Sequence, residues 1–509
     1  MQKINQRYVF GYLAIFVITL FIHQTGYAQA DSVNNSKSLL ILHTNDIHDH
    51  LRADYDGGGG LPFVSGFIRG VRLDRDDVIV MDAGDVAEKG ELVARKTTSD
   101  LTFKAMARIG YKVWAPGNHD HDFGIDALYR FTDLGNMDIV CINLLKENGT
   151  PEFPPSKIYE INGIQVGVIG AIRPRDERSL DLDGTALAMA EEARRLKSST
   201  DIIIGLVHIS INNSVYISKN APDIDVIISG HSHQKTPQPV IVPETGALIV
   251  QSGSYAENVG WLELDLDLNN RKIESFDYKL VEMSHSEVSP DLEMMEWIRL
   301  EELELAPEAL EIISWAPREI SRIEVGILAA EALRKGSNAD IALHKTAHIV
   351  RATLPKGILD VNAFYRTGGE RGEFLVEVDL SGSEINNYIQ GLPMNDWYPT
   401  NWSGFYGTFE DGVFTSDLDK QKLYTVVMPE LEWRQRFQKL HSRVESNPEE
   451  WPGISPLSRM PDVRDIDIKW IESVTSLLRD FNKNEIGLIE GIEDIAQQTG
   501  QLQMLKDLR

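Results

Sequence analysis

Between Trp114 and Gly124 the chain reads WAPGNHDHDFG, with an amide, two imidazoles and two carboxylates in the consecutive positions Asn118 to Asp122, directly after an apolar run and a Pro-Gly. Such a cluster is poor core material, because buried polar and charged side chains cost free energy unless they are paired, hydrogen-bonded or bound to metal. The same residue types recur elsewhere: Asp46 and His48 in HTNDIH, Asp85 in DAGD, His208 in LVHIS, and His231 and His233 in SGHSH. Amide oxygen, neutral imidazole and carboxylate form a donor set suited to Zn, Mn or Fe.

Residues so far apart need a scaffold that brings them together. Short β-branched runs at 38–46, 77–85, 111–118, 137–143, 164–171, 201–208, 225–231 and 247–253 predict strands. Between several of them lie helical patterns such as SDLTFKAMARIG and TALAMAEEARRLKS, the signature of an α/β layered domain. Strand after strand ends in a potential ligand, and in an α/β sheet the loops beyond the strands' carboxyl ends form the ligand crevice. Asp46, His48, Asp85, Asn118, His208, His231 and His233, from five loops, thus predict a dinuclear metal site.

The motifs HTNDIHDHL, DAGD, PGNHDHDFG, LVHIS and SGHSH resemble those of the calcineurin-like metallophosphoesterases, in particular the secreted bacterial 5′-nucleotidase and UDP-sugar hydrolase branch. That resemblance implies a β-sandwich flanked by helices, followed by a smaller α+β C-terminal domain. It implies that Asp46, His48, Asp85 and His233 hold one metal and that Asp85, Asn118, His208 and His231 hold the other, Asp85 bridging. It also makes His119 and Asp122 a catalytic dyad. Two divalent ions of this kind clamp a phosphoryl group and activate a bridging water for in-line attack on phosphorus. Asp120 then reads as a hydrogen-bond partner behind the ligands, His121 as a solvated or packing residue where an aromatic is usual, and Asp49 as a replacement for a commoner glycine.

Composition narrows the class. The chain has 509 residues, 42% of them hydrophobic and 25% charged, enough for two or three globular domains. A net charge of −27 disfavours binding to a nucleic-acid polymer or an anionic membrane; the small anionic phosphate ester that the resemblance implies as partner would be attracted by bound cations. Lys3 and Arg7, the apolar run 9–22 and YAQA ending at Ala30 predict a signal peptide over 1–30, hence a periplasmic or secreted protein with no membrane insertion after cleavage. Cys141 is the lone cysteine and reads as a small buried hydrophobe. DGGGGLPFVSGFIRG lacks the Gly-Lys-Ser/Thr of a phosphate loop and reads as a flexible loop entering a helix.

The expected organisation is a metallophosphoesterase domain over 31–285, ending in a hairpin within 265–280, a linking helix within 286–320, and a C-terminal substrate domain over 321–509. The C-terminal half resembles the family more loosely. Where the family carries Asn-x-Gly-Gly-Ile-Arg, the chain reads HKTAHIVR and keeps only Arg351. Its Pro-Phe-Gly becomes ERG, with Arg371 in the aromatic's place, and its later Gly-Gly-Asp-Gly-Phe/Tyr is missing after YTVVMPELEW. Arg351, Arg366 and Arg371 are the candidate substrate-binding cations, since a guanidinium forks onto phosphate or carboxylate. The aromatics Trp397, Tyr398, Trp402, Phe405 and Tyr406 are either core or an alternative surface for a sugar or base. The tail from Glu432 reads as helical. A metal-holding binding protein without turnover and a hydrolase of sulfur esters are the competing readings.

Overall fold

Strand β1 (Ser36–Thr44) shows why two sheets form. Leu39 and Ile41 point into one apolar cluster and Leu40 and Leu42 into another, all four fully out of water. A strand with no solvated face must lie between two layers. The computed structural model describes residues 36–53, 58–88, 90–174, 178–368, 374–391, 400–447, 449 and 461–507. The signal-peptide segment, Arg371, Trp397, Tyr398 and the start of the glycine-rich loop lie outside the described residues.

The strands that follow are β2 (Val78–Asp82), β3 (Val113–Trp114), β4 (Asp138–Ile139), β5 (Ser156–Ile161), β6 (Ile164–Ile172) and β7 (Ile202–His208). After them come β8 (Val226–Ser229), β9 (Val240–Ile241), β10 (Leu248–Val250), β11 (Asn258–Asp267) and β12 (Lys272–Glu282). They build two six-stranded sheets of order β12-β11-β1-β2-β3-β4 and β5-β6-β7-β8-β10-β9. β1 to β4 run parallel, as do β6, β7, β8 and β10, so their carboxyl ends share one edge of each sheet. Leu39, Ile41, Ile79 and Leu262 from the first sheet meet Val166, Val168, Ile204 and Val226 from the second in a common core. The outer faces are covered by the helices Leu61–Asp74, Asp100–Ile109 and Ile125–Gly135 on one side and Leu182–Leu196 and Ile211–Asn220 on the other.

All eight strand runs read from the sequence form strands, but β3 and β4 shrink to two residues each. The hairpin of β11 and β12 runs over 258–282, longer than the expected 265–280. The edge strands β5 and β9 were not read from the sequence: β5 is mostly solvated and β9 is only the exposed pair Val240–Ile241.

Helix Leu292–Leu305, whose first turn is capped by the Asp291 carboxylate, leads into the C-terminal half. There the helix Arg322–Ser337 starts from a capping box of Ser321 and Glu324 and is buried along most of its length. It packs on a five-stranded sheet of order 400–403, 341–345, 423–429, 375–381 and 463–466, and on the helix Trp470–Lys483. The tail is therefore not wholly helical, because Val463–Ile466 pairs as an edge strand with Leu375–Ser381. Trp402 and Phe405 lie in the core with Phe414, and the Trp402 indole N–H donates to the Thr499 carbonyl, so neither is a ligand-stacking surface. Among the described residues no helix is long and apolar enough to cross a membrane.

Candidate metal centre

The parallel strands deliver their terminal residues to one place. Asp46 and His48 follow β1, Asp85 follows β2, Asn118 follows β3, His208 ends β7, and His231 and His233 follow β8. Asp46, His48 and His233 bring one donor atom each into a single cluster, and Asp85, His208 and His231 form a second. Asp85 joins them: its Oδ2 is 3.1 Å from His208 Nε2 and 3.8 Å from His48 Nε2. Asn118 opens the short helix 118–122 and is buried beside Gly117.

These side chains fit a cation better than they fit each other. His48 Nε2 and His233 Nε2 stand 3.1 Å apart, with Asp46 Oδ1 3.2 Å from the latter. His208 Nδ1 donates to the Ala83 carbonyl at 2.8 Å, which turns Nε2, an acceptor in the neutral ring, toward the Asp85 carboxylate. Asp46 Oδ1 and His208 Nε2 are buried without a hydrogen bond. Acceptors converging on acceptors need a proton or a cation between them, and an N/O set with two carboxylates is that of a borderline divalent ion.

The backbone shows the same demand. Asp46, His48, Asp85, His231 and His233, five of the seven candidate ligands, have φ between 50° and 73°. A left-handed backbone is costly for residues with a Cβ, and such outliers gather at functional sites. Gly117 explains the Pro-Gly before Asn118: a Cβ there would lie 2.1 Å from Asp85 Oδ1. Only a glycine lets the two loops approach so closely.

Behind the ligands lies a shell that the sequence did not announce. Asp46 Oδ2 accepts from Asn45 Nδ2 at 2.7 Å and from the His231 N–H at 2.9 Å, leaving Oδ1 for the centre. Asn45 is itself held by Gly253 and Ser252. Gln251 spans the turn of the Gly-His-Ser-His motif, donating to the Gly230 carbonyl and accepting from Gln234 N–H. Tyr255 stacks on His50 at 4.5 Å and stands 5.8 Å from the ring of His48. Apart from Asn45, which adjoins Asp46, nothing local marks these residues, whose contacts span from 17 to more than 200 positions of the chain.

Asp120 has the supporting role expected of it. Its carboxylate accepts from the N–H groups of Gly117, Asp85 and Ala87 at 2.7–2.8 Å, tying the Asn118 loop to the Asp85 loop. Burial, then the neighbouring Asp85, push its pKa up to about 7 against those N–H groups. Asp49, in place of a glycine, accepts from Ser99 Oγ, Thr102 Oγ1 and the Glu88 N–H. His121 is half-buried. His119 Nδ1 lies 3.4 Å from Asp122 Oδ2 and also contacts Glu88 Oε2.

Electrostatics divide the imidazoles. Burial works against charge on His208, but Asp85 and Asp46 overcome it and raise its pKa to about 9, a proton that a metal would displace. Burial, with His208 and Arg173 nearby, lowers His231 to about 4. Asp85 is held well below the usual carboxylate range: burial opposes this, and His208, His48 and His119 outweigh it.

The candidate arginines separate. Arg366, expected to reach substrate, instead forks onto the fully buried Glu91 and the Arg52 carbonyl, in a network that continues from Arg52 to Asp360 and Glu302. A guanidinium committed to a buried carboxylate is not available to a ligand. Arg351 is half-buried on the loop after the short helix Thr346–Ile349, its N–H on the Thr367 carbonyl. His348 and Tyr388 both close on the buried Glu432 carboxylate, and Tyr388 stacks on Phe437 at 3.5 Å.

Comparison with known proteins agrees with this geometry. Residues 39–235, which include all seven candidate ligands, match the family model described as calcineurin-like phosphoesterase. The chain is 24% identical over 400 residues to the endonuclease YhcR of Bacillus subtilis, covering 69% of this chain but only 32% of that protein. It is 24% identical over 469 residues to a 5′-nucleotidase of Vibrio cholerae, covering 76% of this chain and 82% of that one. Its fold is similar to that of a 5′-nucleotidase precursor from Thermus thermophilus, with a TM-score of 0.68, 20% identity, and coverage of 87% of this chain and 97% of that one. It is also similar to the sulfate thiohydrolase SoxB of the same organism, with a TM-score of 0.65, 13% identity, and coverage of 87% and 94%. The donor clusters and the family match fall on the same residues, so residues 39–235 form a calcineurin-like phosphoesterase domain.

Proposed function

We propose that the chain hydrolyses a small phosphate ester at a centre of two divalent ions. Asp46, His48 and His233 hold one, Asn118, His208 and His231 hold the other, and Asp85 is shared. The observation that carries this reading is the meeting of two donor clusters at the Asp85 carboxylate. Bound there, Zn, Mn or Fe supplies Lewis acidity toward the phosphoryl oxygens and a water nucleophile at neutral pH.

The chain's own residues do the rest. Asp120 fixes the loops that carry Asp85 and Asn118, and Asn45 fixes Asp46, so the donors are placed before substrate arrives. His119, its Nδ1 facing carboxylates, offers its other ring nitrogen to a phosphoryl or leaving-group oxygen, where it stabilises negative charge or gives up a proton. Arg351 is the candidate cation for the far side of the substrate. The burial of Trp402 and Phe405 and the stacking of Tyr388 on Phe437 support recognition through the phosphate rather than by base stacking. Secretion belongs to the same proposal and rests on the basic, apolar and YAQA segments before Asp31.

The test is turnover by the purified chain loaded with Mn or Zn. The panel is aryl phosphate mono- and diesters, AMP, UDP-glucose, a 2′,3′-cyclic nucleotide and a thiosulfonate, beside Asn118→Ala and His119→Ala controls. Ester hydrolysis abolished by both substitutions is the expected result. Two bound metals with no turnover of any phosphate ester overturns the proposal.

A further inference from the structure

His119 meets two carboxylates at one ring nitrogen. Glu88 Oε2 contacts Nδ1 directly, while Asp122 Oδ2 stands 3.4 Å from the same atom. The two differ in setting. The Asp122 side chain closes a five-residue helix and is 40% exposed; the Glu88 side chain is 28% exposed, and its Oε2, the atom facing His119, is out of water. A carboxylate shielded from solvent interacts more strongly with an N–H than one that water competes for.

Glu88 is also firmly placed. Its N–H donates to Asp49 Oδ2 at 2.6 Å, and Asp49 is a buried residue whose carboxylate is anchored by Ser99 and Thr102. Asp49 N–H donates in turn to the Val86 carbonyl at 2.8 Å and the Asp49 carbonyl accepts from the Glu91 N–H at 3.3 Å, so the loops after β1 and β2 are zipped together on either side of Glu88. Glu88 has φ 73°, a left-handed backbone held by those contacts. The carboxylate at position 49, which replaces a small residue, thereby acquires a use: it sets the backbone from which Glu88 reaches His119.

We infer that Glu88 is the principal positioning residue of His119, fixing the Nδ1–H tautomer and the ring plane so that Nε2 faces the substrate, with Asp122 as the secondary partner. An imidazole's free nitrogen is aimed by the hydrogen bond that its other nitrogen makes. The consequence for turnover rests on the phosphoesterase reading; the contact itself does not.

Two measurements test this on the full chain. The first is the Nδ1–H proton of His119, observed by NMR on protein labelled with 15N-histidine and assigned by its loss in His119→Gln. Glu88→Gln should move it upfield by more than Asp122→Asn does. An unmoved resonance in Glu88→Gln overturns the inference whether or not the protein turns over any ester. The second is kinetics on an aryl phosphate, with metal content and melting temperature measured alongside. Glu88→Gln should lower kcat about 10- to 100-fold with KM changed less than about threefold and both metals retained. Asp122→Asn should lose less. The reverse order of losses, with both variants folded and metallated, overturns it as well. Should Glu88→Gln fail to fold, Asp49→Asn, which keeps an acceptor for the Glu88 N–H but removes the charge, should give a smaller shift of the same proton. No shift there, together with full activity, also counts against the inference.

Discussion

Replacing Gly117 by alanine isolates the geometry of the centre from its chemistry. Gly117 has φ −97° and ψ 175°, extended backbone that alanine adopts freely, so the substitution introduces no backbone strain. What it introduces is one methyl group, whose carbon would sit 2.1 Å from Asp85 Oδ1 and 2.2 Å from Asp85 N. Relieving those contacts requires the Asp85 and Asn118 loops to part by about 1 Å, given that non-bonded atoms settle roughly 3.5 Å apart. A displacement of about 1 Å in a catalytic constellation costs on the order of 100-fold in rate, while overpacking of this size costs about 1–3 kcal/mol in stability. Gly117→Ala should therefore fold, lose metal from the cluster of Asn118, His208 and His231, and fall about 100-fold in kcat/KM on an aryl phosphate. Metal content by plasma mass spectrometry and steady-state turnover measure the two effects. The control is Gly70→Ala on the exposed face of the helix Leu61–Asp74, where a Cβ meets nothing, and which should gain about 0.5–1 kcal/mol with unchanged kinetics. A Gly117→Ala protein that keeps two metals and turns over within threefold of the parent would refute the claim that this approach sets the centre.

Other outcomes follow from the same contacts. Asn45→Ala strands the Ser252 N–H and leaves Asp46 Oδ2 with only the His231 N–H, and should cost about 1–3 kcal/mol and weaken metal binding about 10- to 100-fold, read by melting and by metal titration. Arg366→Met leaves the fully buried Glu91 without its cation and should cost about 3–5 kcal/mol; restoring less than half of that in Glu91→Gln/Arg366→Met would show that the pair is not the cause. Burial raises the pKa of Asp225 from 3.8 to about 6, so the folded protein holds that proton between those values and loses stability as pH rises through the window. Asp225→Asn, whose amide oxygen can still accept from the Ile203 N–H, should thus gain roughly 2 kcal/mol at pH 8 and almost nothing at pH 4, measured by denaturant titration at both.

The residues of the two donor clusters were legible because each stands at or just beyond the end of an apolar run, where strand end and polar side chain coincide in a few residues. The two sheets were legible for the same reason in β1, β2, β6 and β7, where burial on both faces writes an unbroken apolar run. Gln251, Tyr255 and Glu88 were not, since a contact with a residue dozens or hundreds of positions away leaves no local pattern; Asn45 adjoins Asp46, but the Ser252 and Gly253 that fix it lie more than 200 positions on. Arg366 looked like a free fork because a sequence shows a guanidinium but not the buried Glu91 that claims it. Val463–Ile466 escaped because an exposed edge strand of alternating charge reads like any polar segment.

The left-handed backbones of Asp46, His48, Asp85, His231 and His233 carry an evolutionary consequence. Each holds a conformation that glycine would take with about 1 kcal/mol less strain. Mutational drift that replaced these ligands by glycine would relax the local chain while erasing the chemistry, and would also release buried carboxylates from one another. Descendants of this chain freed from selection for turnover should lose the centre early and keep the sandwich, gaining rather than losing thermal stability as they do so.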